Sequence, residues 1–130
     1  MPKKRKPTEH WKEEPEEHDF PAAADYLNLL LPASALAAVV QGLRAAPTMR
    51  HKAKDLMRAS GLPLLAADDF EVAKDLRRVA NGELLSPVLL LRGQASAGVP
   101  LIIADGYHRI CASYHLAEDA DIPCRVAEFI

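Results

Sequence analysis

The apolar residues of this chain follow two spacings, and the change from one to the other falls near residue 87. In segments 22–46, 48–60 and 69–80 they recur every three or four positions, as on one face of a helix. After residue 87, the runs VLLLR and VPLIIA have the length of buried strands, and IPCRVAEF alternates as a strand does. An Ala-rich segment, ICASYHL, lies between them and is typical of a helix. The pattern predicts a helical N-terminal half and a βαβ-like C-terminal half. It therefore indicates an α+β domain, with a small mixed β-sheet flanked by helices.

The first 20 residues, MPKKRKPTEHWKEEPEEHDF, contain a basic block, an acidic block and three prolines. Only Trp11 and Phe20 are large apolar residues in this stretch. So little apolar surface does not offset the entropy lost on ordering a chain, and we expect a disordered charged tail over residues 1–20. The remaining organisation that we predict is a helical extension over residues 21–47 and the main domain over residues 48–130.

Composition narrows the class of protein. The chain has 130 residues, 49% of them hydrophobic and 26% charged, which is typical of one globular domain. The formal net charge of −2 argues against a surface built throughout for nucleic acid, and leaves room only for a local basic patch such as residues 50–58. The two cysteines, Cys111 and Cys124, are too few for a disulfide framework and indicate a reducing, cytoplasmic compartment. No apolar run approaches the roughly 18 residues of a membrane span.

The sequence ADGYHR joins a predicted strand to a predicted helix and carries the candidate chemistry. Backbone N–H groups are unpaired at a helix N-terminus, and Gly106 allows a ligand to approach them closely. Arg109 offers a planar fork for phosphate, and His108 can donate a hydrogen bond or exchange a proton. Asp105 can cap the helix, hold a divalent metal or receive a hydroxyl proton. These groups together suit an anion, above all phosphate, although many such junctions use Asp-Gly for turn geometry alone.

The stretch SPVLLLRG…VPLIIADGYHRICASYHLAEDADIPCRV resembles the ParB/sulfiredoxin superfamily. The shared features are a Pro before an apolar strand, a second strand ending in a DGHHR-like box, an Ala-rich helix, and a last strand after Ile-Pro. With the preceding helix, the resemblance covers roughly residues 50–128. It implies a ParB/sulfiredoxin-like fold in which nucleotide phosphates are held at the box. Members include CTP-hydrolysing partition proteins, ATP-using sulfiredoxins, free-serine kinases and nucleases.

Compared residue by residue, the box of this chain is most similar to that of the kinase-like members. Asp105, Gly106, His108 and Arg109 match their DGHHR form, and Tyr107 replaces one histidine. Sulfiredoxins have their catalytic cysteine at that position, so their chemistry is not expected here. The acid and two arginines of the partition CTPases are also missing, and we expect no helix-turn-helix domain after the last strand and no centromere binding. The resemblance implies phosphoryl transfer or nucleotide hydrolysis with ATP, ADP or CTP and Mg²⁺. It assigns catalysis to Asp105, His108 and an N-terminal acid, for which we favour Asp55. The nucleotide would contact Gly106, Tyr107, His108, Arg109 and Ser86.

Other interpretations stay open at this point. The protein could be a non-catalytic module that binds a protein or nucleic acid, with helices 22–46 contacting a partner or a second copy, or it could be a nuclease. Asp55 could form only a surface pair with Arg58. The spacing of His108, Cys111 and His115, with Cys124 on the next strand, could suit zinc. We favour the simpler interpretation that the cysteines are small core residues, and we predict no metal site built from them.

Overall fold

A computed structural model describes residues 10–129 of the chain. Within these residues the protein is a small mixed α+β domain with five helices and one four-stranded mixed sheet, so the predicted fold class is confirmed at that level. The elements are α1 (Asp19–Leu27), α2 (Ala33–Ala45), β1 (Met49–Lys52), α3 (Ala53–Ser60), α4 (Phe70–Ala80), β2 (Val88–Leu91), β3 (Ile102–Asp105), α5 (Tyr107–Leu116) and β4 (Asp121–Ala127). No helix in this part of the chain is long and apolar enough to cross a membrane.

The strand order of the sheet is β1-β4-β2-β3. Strand β2 pairs in parallel with β4 and antiparallel with β3, and β1 pairs antiparallel with β4. Strands β3 and β4, which α5 connects, are therefore antiparallel to each other and separated by β2. The predicted βαβ-like unit is wrong in this respect, because β3 first folds back on β2 as a hairpin and β4 must take the other side of β2.

Helices cover both faces of the sheet, and this explains the continuous apolar run of β2. Val88 and Leu90 belong to one core, which is shared with α3, α4 and α5. Leu89 and Leu91 belong to a second core, which is shared with α1 and α2. Successive side chains of a strand point to opposite faces, so a strand buried on both sides shows no polar alternation.

The first two helices are part of this domain rather than an extension of it. Leu27 of α1 and Leu43 of α2 are fully buried against the sheet, in the core that contains Leu89 and Leu91. The expected boundary between residues 47 and 48 does not separate two cores. Removing α1 and α2 would expose one entire apolar face of the sheet to water.

Residues 48–60, which we predicted as one helix, contain a strand followed by a helix. Strand β1 pairs along its length with β4, from Met49 opposite Cys124 to Lys52 opposite Asp121. Helix α3 begins only after it, at Ala53. All four residues of β1 are exposed, so the alternation of buried and exposed residues that is typical of a strand is missing. The strand forms because its backbone pairs with a distant segment. The basic residues of 50–58 are consequently split between a strand and a helix.

The segment before α1 is packed against the domain, so the prediction of a disordered tail is wrong for residues 10–20. Trp11 is 7% exposed and joins one core, and Phe20 is buried in the other. Lys12 N donates to the carbonyl of Leu85 at 2.8 Å, and Leu85 N donates to that of His10 at 2.7 Å. Two aromatic anchors and strand-like pairing thus offset the entropy that the composition alone could not. Residues 1–9 of the predicted tail lie outside the described residues.

Candidate functional site

The candidate site is the turn of residues 105–109, where β3 passes directly into α5. Gly106 links the two elements with a φ of 109°, in the left-handed region that favours glycine. A Cβ atom there would collide with Cγ1 of Val88 and lie 2.9 Å from Nη2 of Arg109. Glycine is therefore required both by the backbone conformation and by the close approach of α5 to β2.

Arg109 lies one turn into α5 and reaches back over the turn. Its Nη2 is 2.6 Å from Oδ2 of Asp105, and its Nη1 is 3.9 Å from Oδ1 of Asp19. The side chains are only 13%, 21% and 5% exposed for Arg109, Asp105 and Asp19. One guanidinium is thus held between two carboxylates, with little water around them. In such surroundings charge–charge interactions are stronger than at an open surface.

Asp19 is the main site residue that the sequence analysis missed, because it falls in the segment predicted as a tail. It is the first residue of α1, which packs against β3, and its Oδ2 accepts a hydrogen bond from Glu16 N at 3.0 Å. His18 approaches its other oxygen at 3.4 Å. One signal could have found it. Pro21 is tolerated in the first turn of a helix, so a helix beginning near Asp19 is consistent with the sequence.

Burial sets the protonation behaviour of the acids around the turn. It raises the pKa of Asp105, and this effect outweighs the opposing influence of Arg109, while the nearby charge of Asp19 raises the pKa further. Asp75 on α4 is also buried, with its pKa raised by burial and lowered by Arg78 at 3.4 Å and by Arg109. Partly buried acids with raised pKa values in one cluster are typical of sites that move protons.

Tyr107, His108 and Ser86, which the sequence assigned to ligand binding, surround this cluster with different contacts. The Tyr107 hydroxyl donates to the carbonyl of Pro63, and burial raises its pKa. The His108 ring is half-buried, with its centroid 5.6 Å from that of Tyr107. Ser86 is buried just before β2, and its Oγ accepts a hydrogen bond from Glu16 N at 3.4 Å. Tyr107 therefore fixes the α3–α4 loop against the turn, and Ser86 contacts the segment that precedes Asp19.

Asp55, our predicted N-terminal acid, lies elsewhere. Its Oδ1 is 3.3 Å from Nη2 of Arg58, the surface pair that we had weighed against a catalytic role. It also lines an open cavity of about 570 Å³, bounded by α3, β2 and the hairpin loop of residues 92–101 that joins β2 to β3. We call this space the hairpin cavity. No residue of the 105–109 turn lines that cavity. The acid that the structure brings beside Arg109 is Asp19, and a catalytic role for Asp55 stays a prediction.

The two cysteines are buried free thiols. Burial raises the pKa of both, to about 11 for Cys124, which disfavours the thiolate that binds metal. His115, the other residue of the weighed zinc set on α5, has its Nε2 2.7 Å from the carbonyl of Leu65. Across residues 10–129, no three or more His, Cys, Asp or Glu side chains are grouped so that they could hold a metal ion. The structure agrees with the interpretation of the cysteines as core residues.

Comparison of the chain with protein-family models, with curated proteins and with solved structures found no match. A function for this chain can therefore be inferred only from the residues of the turn and from the sequence motifs.

Proposed function

We propose that this protein is a nucleotide-binding protein of the ParB/sulfiredoxin kind, which holds phosphates at the 105–109 turn and carries out phosphoryl transfer or nucleotide hydrolysis. One observation carries the proposal. The Arg109 guanidinium, the uncapped N-terminal end of α5 and the carboxylates of Asp105 and Asp19 lie together. Two buried free cysteines support the cytoplasm as its compartment.

In the proposed arrangement, the phosphates of ATP, ADP or CTP contact the first backbone N–H groups of α5, where the helix dipole favours negative charge. Arg109 presents its fork to the same phosphates, and His108 supplies a further hydrogen bond or a proton. Catalysis of this kind depends on positioning and on stabilising developing charge, so it needs no covalent intermediate on the protein.

The carboxylates give the same site an acceptor for positive charge. Asp105 and Asp19 together carry one more negative charge than Arg109 neutralises, so their oxygens fit a magnesium–nucleotide complex. Magnesium, when bound, supplies neutralisation of the phosphate charge. Asp105 also lies where it could accept the proton of an acceptor hydroxyl, and its raised pKa favours that role at a pH near neutrality.

Isothermal titration with ATP, ADP and CTP, with and without Mg²⁺, tests the proposal. The informative variant is Arg109→Lys, which keeps a positive charge between the carboxylates and removes the planar fork. We expect it to weaken binding about tenfold. Arg92→Lys is the matched control, since Arg92 is an exposed arginine paired to Glu128 at the other end of the β2–β3 hairpin, and it should leave affinity unchanged. The proposal is refuted if the wild-type protein binds none of these nucleotides.

A second candidate function is a non-catalytic module that binds a partner protein or a second copy. The observation in its favour is exposed apolar surface after α1, where Leu29 is 82% and Leu30 51% exposed. Leu30 also borders a small apolar pocket with Phe129. Size-exclusion chromatography with light scattering should compare the wild-type protein with Leu29→Ser/Leu30→Ser. A dimer that the double substitution converts to monomer would support this candidate, and a wild-type monomer would count against self-association.

A further inference from the structure

The hairpin cavity is separate from the 105–109 turn and has the lining of a small-molecule site. Its volume of about 570 Å³ falls within the range typical of ligand pockets, roughly 300–1,000 Å³. Its floor and walls come from α3, β2, β4 and the hairpin loop. The apolar side chains among them are Leu56, Ala59, Leu90, Val99, Leu101 and Val126.

Backbone contacts hold the wall of the cavity in place. Within the hairpin loop, Gln94 N donates to Val99 O at 2.8 Å, and Val99 N donates back to Gln94 O at 3.0 Å. Leu101 N donates to Ala59 O at 3.0 Å, which ties the loop to α3. At Gly93, a Cβ atom would lie 2.8 Å from backbone atoms of Val99 and Leu101, so the loop is folded tightly on itself. The cavity is therefore preformed by the fold and needs no rearrangement to accept a ligand.

The charged groups at the rim are already neutralised by their own neighbours. Arg92 Nε is 2.6 Å from Oε1 of Glu128, and Asp55 is paired with Arg58. All four of these side chains are exposed to water, so they provide solvation at the mouth rather than a buried charge for an ion to meet. His51 adds one side chain that can form a hydrogen bond at the rim. An ion entering the cavity would lose water without meeting an unpaired opposite charge.

From these three features we infer that the hairpin cavity is a second binding site, which takes a small, uncharged, predominantly apolar molecule with one polar group directed to the rim. Its apolar body contacts the floor formed by Leu56, Leu90 and Val126, and burial of that body supplies the affinity. The proposed nucleotide at the 105–109 turn is not required for this binding.

A pair of fluorescent probes with the same aromatic body tests the charge preference. N-phenyl-1-naphthylamine is uncharged, and 8-anilinonaphthalene-1-sulfonate adds an anionic sulfonate. Titration of the folded full chain should give tighter binding of the uncharged probe, by about tenfold. Tighter binding of the sulfonate would overturn the assignment, because Arg92 would then be acting as an anion receptor. No fluorescence increase with the uncharged probe, up to its solubility limit, would also overturn it.

A pair of substitutions tests the location. Ala59→Phe places a ring into the cavity from an exposed position in the last turn of α3, and Ala80→Phe makes the same change at an exposed position at the end of α4. We expect the first to weaken binding of the uncharged probe by about tenfold or more and the second to leave it unchanged. Thermal unfolding of both variants checks that they remain folded. Equal affinities in two folded variants would place the probe elsewhere and refute the site.

Discussion

Charged side chains are largely buried at one end of the β2–β3 hairpin and exposed to water at the other. At the end where β3 enters α5, Asp105, Arg109 and the distant Asp19 are drawn into the protein and contact one another. At the loop end, Arg92 and Asp55 remain in water at the rim, and the interior is apolar. Both ends belong to the same pair of strands, so the difference comes from the side chains and from what packs over them.

This contrast is the basis for proposing that the turn, and not the loop end, acts on a charged ligand. Desolvating a charged side chain costs several kcal/mol, and a buried ion pair rarely recovers more than that. A fold that needed only stability would gain as much from apolar residues at 105 and 109. The exposed pairs at the loop end contribute little, and the space they border suits an apolar ligand. The contrast therefore supports proposing a charged ligand at the turn and an uncharged one in the hairpin cavity.

Among the substitutions that test this difference between the two ends, Arg109→Ala should lower the free energy of unfolding most. It leaves the carboxylates of Asp105 and Asp19 partly buried without their shared cation, and we expect the free energy of unfolding to fall by about 4 kcal/mol. Urea denaturation at pH 7 measures it. Adding Asp19→Asn to this variant should recover part of the loss, because it removes one of the uncompensated charges. A loss below about 1 kcal/mol would mean that the cluster behaves as a surface pair.

Gly106→Ala tests whether the turn itself is constrained. The new Cβ would collide with Val88 in a backbone conformation that alanine rarely adopts, and we expect a loss of about 3 to 4 kcal/mol. Gly98→Ala, in the hairpin loop, is the control. Its φ is also positive, at 71°, but no atom lies within contact distance of the added carbon, so it should cost only about 1 kcal/mol. Equal losses would show that backbone strain alone, and not close packing on β2, requires Gly106.

Trp11→Ala tests whether the segment before α1 belongs to the turn end of the domain. Deleting this buried ring should lower the free energy of unfolding by about 3 kcal/mol. It should also loosen Glu16 and Asp19, so amide hydrogen exchange should accelerate over residues 12–20 more than in the hairpin loop. If the variant were as stable as the wild-type protein, residues 10–20 would contribute nothing to the stability of the fold, as expected of a disordered tail.

The pH dependence of stability tests whether burial or the charge of Arg109 has the larger effect on the pKa of Asp105. Its pKa in the folded protein lies above the ordinary value of 3.8. Between 3.8 and that raised pKa the folded state binds more protons than the unfolded state, so the free energy of unfolding falls as pH rises through the interval. Asp105→Asn lacks this contribution, and the difference between the two proteins, followed by urea denaturation, isolates it. A wild-type stability that rises with pH relative to the variant would mean that Arg109 outweighs burial.

Asp55→Asn should have the smallest effect. Asp55 and Arg58 form an exposed pair at 3.3 Å, and we expect a change in stability below about 0.5 kcal/mol. Nucleotide affinity at the turn should also stay unchanged, whereas Asp19→Asn should weaken binding in the presence of Mg²⁺. Isothermal titration of both variants makes the comparison. A loss of affinity in Asp55→Asn alone would restore Asp55 as the functional acid.

The residues of each segment were enough to predict the features that depend on local burial. Periodic apolar residues predicted α2 and α4, an Ala-rich segment predicted α5, and the apolar run at Val88–Leu91 predicted a buried strand. The Asp105–Gly106 junction was also visible, because a glycine between an apolar strand and an Ala-rich helix marks a tight turn. These features depend on which face of each segment meets water, and that information is present in the segment's own residues.

The contacts between distant segments became visible only in the folded protein. Strand β1 has four exposed side chains and exists because β4 offers it backbone partners. The composition of residues 1–20 predicted a disordered tail, but Trp11 packs into the core on one face of the sheet and Phe20 into the core on the other. Asp19 reaches Arg109 only because α1 packs on β3. Strand pairing and the convergence of charges join residues far apart in the chain, so no local pattern records them.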